Sequence, residues 1–374
     1  MRIIVAGDYA PLERIQKQIN DGNFSQIFPQ NLVDIITSAD YSLVNFECPI
    51  IKNGFKPISK WGPNIGCSEK AVEALCYAGF KGVTLANNHI LDYGTEGLQQ
   101  TINSCKQAGL NTVGVGNNLE ESEKILYVPI KGEKLAVINC CEHEFSVASD
   151  TAAGANPLNP VRLYNSLCKA KKQADYVMVI VHGGHEEYQL PSIRMQEIYR
   201  FIIDAGADAV INHHQHCFSG FETYKNKPIF YGLGNFCFDE FPVKNNTPWN
   251  YGYLIELSFN KQITYKLYPY NQYGNNPTVE LLPEDYFDSD LKTINSIISD
   301  KSKLQKELES YYEEWTQSEL SILEPYTGRI LGKLLSLGLL PRFVNLRKAL
   351  MLLNHIRCES HRDKLLFALL KRIG

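Results

Sequence analysis

Six residues of the kinds that ligate divalent ions stand at or just past the ends of five apolar runs. Asp8 closes Ile4-Val5-Ala6-Gly7-Asp8, and Glu47 closes Leu43-Val44-Asn45-Phe46-Glu47. Asn88 lies in Thr84-Leu85-Ala86-Asn87-Asn88-His89, and His182 closes Val179-Ile180-Val181-His182. His214 and His216 lie in Val210-Ile211-Asn212-His213-His214-Gln215-His216. Carboxylate, amide oxygen and imidazole together suit a borderline divalent ion. Two such ions about 3.5–4 Å apart would clamp the attacking and leaving oxygens of an in-line displacement. Taken singly, each residue has a plainer reading: Asp8 as a helix cap, Glu47 as a surface carboxylate, Asn88 and His89 as turn residues, His182 as a satisfied core histidine. Six ligand-type residues at five run ends weigh against all of these holding at once. Alternation along an extended segment puts His214 and His216 on one side and His213 on the other.

The runs must be strands for their polar tips to converge, because strand ends in α/β sheets open on one crevice. Short β-branched runs alternate with helical patterns, which predicts a layered α/β fold. Strands are expected at 2–7, 41–46, 82–86, 112–115, 125–131, 134–141, 176–181, 208–212, 219–225, 228–232, 252–259 and 262–270. Gly132-Glu133, Asn226-Lys227 and Asn260-Lys261 read as hairpin turns, so the sheets should be mixed. Helices are expected from a Ser68 cap through Phe80, over 96–108 after a Thr95 cap, over 161–174 after Pro160, and over 192–205 after Pro191. From Pro283 onward the pattern is helical only, over 289–299, 301–316, 318–324, 327–337 and 341–372. This divides the chain into a catalytic domain, 1–282, and a helical extension, 283–374.

A chain of 374 residues with 44% apolar content can bury a large core. Its net charge of −4 argues against a general nucleic-acid binder. The charge is uneven: residues 325–374 carry a balance of +8 and the rest −12. Such a basic segment can meet an anionic surface or a partner. The ten cysteines form no CxxC pattern, no basic leader precedes the first strand, and no apolar run reaches membrane-spanning length. Together these lead us to expect a cytoplasmic protein, peripheral to the membrane at most.

The segments GDYAP at 7–11, NFECP at 45–49, LANNHILDYG at 85–94, HGGHEEYQLPS at 182–192, GADAVINHHQH at 206–216 and KPIFYGLGNFCFD at 227–239 give a specific resemblance. In this order they resemble the CapA-type capsule-synthesis or poly-γ-glutamate-synthesis proteins, a branch of the calcineurin-like metallophosphoesterases. Beyond residue 282 the resemblance adds little. It implies two mixed β-sheets flanked by helices, a metallophosphoesterase-like four-layer sandwich, with one or two divalent ions of the Mn, Fe or Zn class at one edge. By that pattern Asp8 and His216 resemble ligands of a first ion, Glu47 a bridging carboxylate, and Asn88, His182 and His214 ligands of a second. His89 resembles the residue that touches the leaving group, and Asp92 would orient it. The wider group has Asp-x-His in its first motif, whereas this chain has Asp8-Tyr9-Ala10, and it has Glu47 in place of an aspartate.

Other residues keep two readings. His185 and Glu186 form either a substrate-facing loop, with Glu186 favoured by the resemblance, or a solvated one. Asn235 either meets substrate or marks a turn, and Lys60 either meets an anionic substrate or is solvated. The expected function is hydrolysis of a phosphoester in capsule, exopolysaccharide or poly-γ-glutamate assembly, with a phosphorylated or polymeric anionic substrate. The rivals are a non-hydrolytic polymer-binding or scaffold partner of a capsule synthase, and hydrolysis at a γ-glutamyl amide by the same metal chemistry. Capsule-synthesis proteins or a membrane surface would be met through 325–374.

Overall fold

The structure is a computed structural model of the full chain, described for all residues except 61, 240–246, 274–275, 323–325, 327, 350–351 and 353–374. Two large mixed sheets carry the fold. In the first, β1 (Arg2–Ala10), β2 (Tyr41–Phe46), β3 (Gly82–Thr84) and β4 (Asn111–Val113) run parallel. On the other side of β1 the chain adds the antiparallel strands β14 (Tyr251–Ser258), β15 (Thr264–Gln272) and β16 (Val279–Leu281). The short β13 (Asn235–Phe238) pairs with the end of β1. The second sheet has the order β11 (Phe221–Tyr224), β12 (Lys227–Phe230), β10 (Ala209–His213), β9 (Tyr176–His182), β7 (Glu133–Cys141), β6 (Leu126–Ile130). A two-stranded ribbon joins β5 (Val115–Gly116) to β8 (Gly154–Ala155).

The three expected hairpins are present as antiparallel pairs β6–β7, β11–β12 and β14–β15. The expectation missed β8, β13 and β16, which have two to four residues each and too little length to show a period. Helices flank both sheets. Ile15, Ile19, Leu32, Ile36, Leu75 and Leu98 come from helices and share one buried cluster with Ile4, Val44 and Val83 of the first sheet. The helices Pro160–Gln173 and Ile193–Asp204 pack on β7, β9, β10 and β12. Asn159 and Ser192 cap these two helices through their side chains.

Two caps differ from expectation. Ser68 does not cap Lys70–Ala78; its hydroxyl donates to Asn20 Oδ1, and Glu69 holds the cap position. The next helix is Gly94–Gln107, with Tyr93 rather than Thr95 at the cap position, and Gly94 takes a positive φ where the chain turns out of the Leu91 corner.

Asn139 on β7 ties the sheets together. Its Oδ1 accepts from the backbone N–H of Leu85 and Ala86, just past β3, and its Nδ2 donates to Ile180 O on β9. The carboxyl ends of β1–β3 are thereby held against those of β9 and β10.

The chain forms two compact units, Met1–Leu304 and Gln305–Gly374. Among the described residues strands stop at Leu281 and helices follow: Asp288–Ile298, Lys301–Ile322 and Arg329–Ser336. The first of these belongs to the first unit, where Asn295 Oδ1 accepts from Phe221 N. Most of the helix expected over 341–372, including Arg357-Cys358-Glu359-Ser360-His361-Arg362, lies outside the described residues. No helix among the described residues is long and apolar enough to cross a membrane.

Candidate metal centre

Local backbone features aim the polar tips. A register shift in β1 between Ala6 and Asp8, and another between Asp8 and Tyr9, act as a bulge that turns Asp8 inward. Gly7 is required beside it, since a Cβ there would lie 1.9 Å from Gly234 O. That close approach lets Asp8 N donate to Gly234 O at 3.1 Å. After β10 the backbone leaves the extended conformation: His214 has φ 91 and His216 φ 54, values that cost a non-glycine residue energy. Alternation therefore does not govern this segment, and it fails for His213. His213 does not face away; its Nδ1 lies 3.2 Å from Asp8 Oδ1.

Asp8, Glu47, Asn88, His182, His214 and His216 converge. Asn88 Oδ1 and His214 Nδ1 each lie 3.1 Å from His182 Nε2. Glu47 Oε1 lies 3.5 Å from His182 Nε2 and 3.6 Å from His216 Nε2. Asp8 Oδ2 is 3.6 Å from His216 Nδ1. Two triads of ligand atoms, Asp8–Glu47–His216 and Glu47–His182–His214, each fall within 4.8 Å and share Glu47. All of these side chains are buried.

The cluster is not balanced on its own. Glu47 Oε1 is buried and has no hydrogen-bond partner. Burial, then the charge of Asp8, pushes the Glu47 carboxyl well above its ordinary range. Burial likewise pushes His182 well below the ordinary imidazole value, with His214 adding to it, and lowers His216. Burial opposes ionisation of Asp8 too, but the contact with His213 and the nearby His182 and His216 outweigh it and hold Asp8 ionised. A buried oxygen without a donor, flanked by neutral imidazoles, is what a divalent cation would complete. The donor set fits one.

His89 follows Asn88 and is held separately. Its Nδ1 lies 2.7 Å from Asp92 Oδ2, which also accepts from Ile65 N. Lys60, expected against a substrate, has a buried side chain; its ammonium pairs with Asp92 Oδ1 and lies 3.1 Å from His89 Nδ1. Asn235, expected against a substrate, is fully buried beside His216. Glu186 is exposed and groups with His214 and His216. His185 is half-buried, which lowers its pKa, and joins none of the metal-type groups among the described residues.

Three residues were not read as functional from sequence. Asn45 Nδ2 lies 2.7 Å from Asp8 Oδ1, 3.3 Å from Glu47 Oε2 and 3.2 Å from His182 Nδ1. Its signal was a polar side chain inside the otherwise apolar run Leu43–Phe46, two residues before Glu47. Glu144 Oε2 accepts from Asn88 Nδ2 at 3.4 Å, and its Oε1 lies 3.7 Å from His214 Nε2. It follows β7, whose tip Cys140-Cys141-Glu142-His143-Glu144 is rich in ligand-type residues, a signal that the strand-end reading passed over. His213, set aside by alternation, meets Asp8 but joins none of the metal-type groups among the described residues.

The family model described as bacterial capsule synthesis protein PGA_cap matches residues 2–240. The chain is 33% identical over 248 residues to the capsule biosynthesis protein CapA of Bacillus anthracis, covering 64% of this chain and 60% of that protein. It is 31% identical over 238 residues to the PGA biosynthesis protein CapA of Bacillus subtilis (strain 168), covering 63% and 62%. The match thus spans about three fifths of each relative's length. Among solved structures, one described as a novel phosphatase of Mycoplasma pneumoniae aligns over 79% of this chain and 98% of its own, at 17% identity and a TM-score of 0.46.

Proposed function

The chain belongs to the bacterial capsule synthesis protein family PGA_cap, and on that premise we propose that it is a metal-dependent hydrolase of a phosphoester-type bond in capsule or poly-γ-glutamate biosynthesis. The observation that carries the proposal is Glu47: a buried carboxylate shared by two ligand triads, with one oxygen that no protein donor meets. Asp8, Glu47 and His216 would hold one ion, and Glu47, Asn88, His182 and His214 another. Ions bound there supply Lewis acidity to a phosphoryl oxygen and make water a competent nucleophile at neutral pH.

The chain's own residues supply the rest. Asn45 orients both carboxylates through one amide. Asp92 holds the His89 ring by Nδ1, so Nε2 is the nitrogen left to meet a leaving oxygen. Lys60 neutralises Asp92 and keeps that carboxylate fixed. Glu186 at the rim would contact substrate. The chemistry is assigned to residues 1–282. The basic residues 325–374 would meet a capsule-synthesis partner or an anionic membrane surface, which salt-sensitive cosedimentation with anionic vesicles, lost on deleting 325–374, would support.

The test is elemental analysis of the purified protein, followed by a panel of phosphomonoesters, phosphodiesters and γ-glutamyl peptides. Phosphoester hydrolysis that stops with a chelator and returns with one divalent ion is the expected result. A metal-loaded protein inert on every phosphoester overturns it. Release of γ-glutamyl ends in that case would point to the amide, and no turnover at all to a binding partner.

A further inference from the structure

Asn235 offers three polar contacts from one fully buried side chain. It opens β13, where it lies in register with Asp8 of β1. Its Nδ2 lies 3.1 Å from the backbone oxygen of His216 and 3.4 Å from that of Trp249. Its Oδ1 lies 2.9 Å from His216 Nδ1. The two carbonyls decide which end of the amide is which. With the amide turned over, its oxygen would face two carbonyl oxygens with no hydrogen between them, a cost that burial magnifies. The NH2 therefore faces the carbonyls and the oxygen faces the ring. Oδ1 can only accept, so His216 Nδ1 must carry the hydrogen.

We infer that Asn235 is a positioning residue that locks His216 in the Nδ1–H tautomer and so presents Nε2, with its lone pair, to a cation. This rests on the metal-centre reading given above. Nε2 is the ring nitrogen 3.6 Å from the unpartnered Glu47 Oε1. The other tautomer would put a hydrogen on the ligating atom and leave Nδ1 and Oδ1 as two buried acceptors face to face. Asn235 grips the same residue twice, by ring and by carbonyl, and the second bond supports the left-handed backbone of His216. The rings of Phe238 and Trp249, with centroids 5.0 and 4.9 Å from that of His216, pack on the imidazole and oppose its rotation. An acceptor on the far nitrogen of a ligating histidine typically changes metal affinity about 10- to 100-fold.

The experiment uses the full chain with 15N-labelled histidine. Long-range proton–nitrogen spectra of the metal-free protein read each ring's tautomer, and His216→Gln assigns the His216 signal. The expected spectrum shows Nδ1–H for His216, with the Nε2 resonance moving on titration with Zn2+. In Asn235→Leu the population shifts toward Nε2–H and Zn2+ affinity falls about 10- to 100-fold. An Nε2–H signal in the metal-free wild type overturns the inference, and so does a folded Asn235→Leu with tautomer and affinity unchanged. If Asn235→Leu does not fold, the wild-type spectrum still decides. A wild type that binds no Zn2+ defeats the metal centre instead, and that failure is separable because the tautomer is read without metal.

Discussion

The side chains of Lys60, His89 and Asp92 form one buried polar cluster, and Asp8, Glu47, Asn88, His182, His214 and His216 form another, joined to the first by the peptide bond between Asn88 and His89. They balance charge in different ways. Asp92 receives Lys60, the His89 ring and the Ile65 amide, so both its oxygens are met inside the protein. Glu47 has a donor on one oxygen only, and that donor, Asn45 Nδ2, also faces Asp8 and His182. The first cluster is complete as folded; the second leaves a buried carboxylate oxygen that no donor meets. Buried charge is tolerable when paired and costly when not, so the difference separates a part that should matter after metal binding from a part that should make metal binding possible.

The largest effect should come from the open cluster. Removing His214 and His216 together is expected to abolish metal content and phosphoester turnover while the circular dichroism of the fold persists. Full metal retention in that double variant would falsify the ligand assignment. In the closed cluster, His89→Ala should keep its metal and lose turnover roughly 100- to 10,000-fold. A near wild-type rate on a cognate phosphoester would make His89 structural only. Lys60→Met should act differently again. It strands Asp92 as a buried, uncompensated carboxylate, so chemical denaturation should show a loss of about 3–5 kcal/mol. Metal content should be unchanged, and loss of the ion in this variant would mean that the two clusters are not separable.

The clusters also differ in how pH should act. In the metal-free protein, the raised pKa of Glu47 means that the folded state holds a proton the unfolded chain releases above about 4.5. That contribution to stability is lost as pH rises toward the folded value. The lowered values of His182 and His216 mean that the unfolded chain takes up protons below about 6.5 that the folded state refuses, so stability falls on the acid side. The metal-free melting temperature should therefore peak near pH 6.5 and decline above it. A saturating divalent ion, which binds ionised Glu47 and neutral imidazoles, should remove the alkaline decline and add about 2.7 kcal/mol at a hundredfold excess over Kd. A flat alkaline limb without metal would mean that Glu47 is not destabilised as described.

Much of the open cluster was legible in the sequence because ligand chemistry sits at strand ends, and strands such as Tyr41–Phe46 announce themselves by composition. The closed cluster was half legible. His89 and Asp92 are three residues apart in one corner, but Lys60 reaches them from 29 and 32 positions away. No local pattern marks a lysine as buried; only the partner does. His213 joins none of the metal-type groups among the described residues, in line with its exclusion, but the side it faces was misjudged for a different reason. Periodicity assumes extended backbone, and the positive φ at His214 and His216 breaks the period where it was applied. Asn235 was noticed, but its role depends on two carbonyls contributed by the chain at His216 and Trp249, which spacing does not reveal.

The smallest effect should come from Glu144, and it tests whether burial or mere proximity makes the open cluster open. Glu144 stands near the same groups as Glu47, with Asn88 Nδ2 at 3.4 Å and His214 Nε2 at 3.7 Å. Its side chain, however, is 41% exposed, whereas that of Glu47 is 0% exposed. Water can solvate Glu144 in either charge state, so its interactions are screened and worth about 0.2–1 kcal/mol. Glu144→Gln should change stability by no more than about 0.5 kcal/mol and metal affinity by no more than about fivefold, the equivalent of about 1 kcal/mol. Glu47→Gln keeps the shape but removes the buried charge that an ion needs, so it should cost far more affinity while leaving the metal-free protein more stable above pH 6.5. Calorimetric titration of the two variants side by side checks this. Equal losses of affinity would mean that distance to the histidines matters and burial does not, and the contrast between the two clusters would then have to be drawn on other grounds.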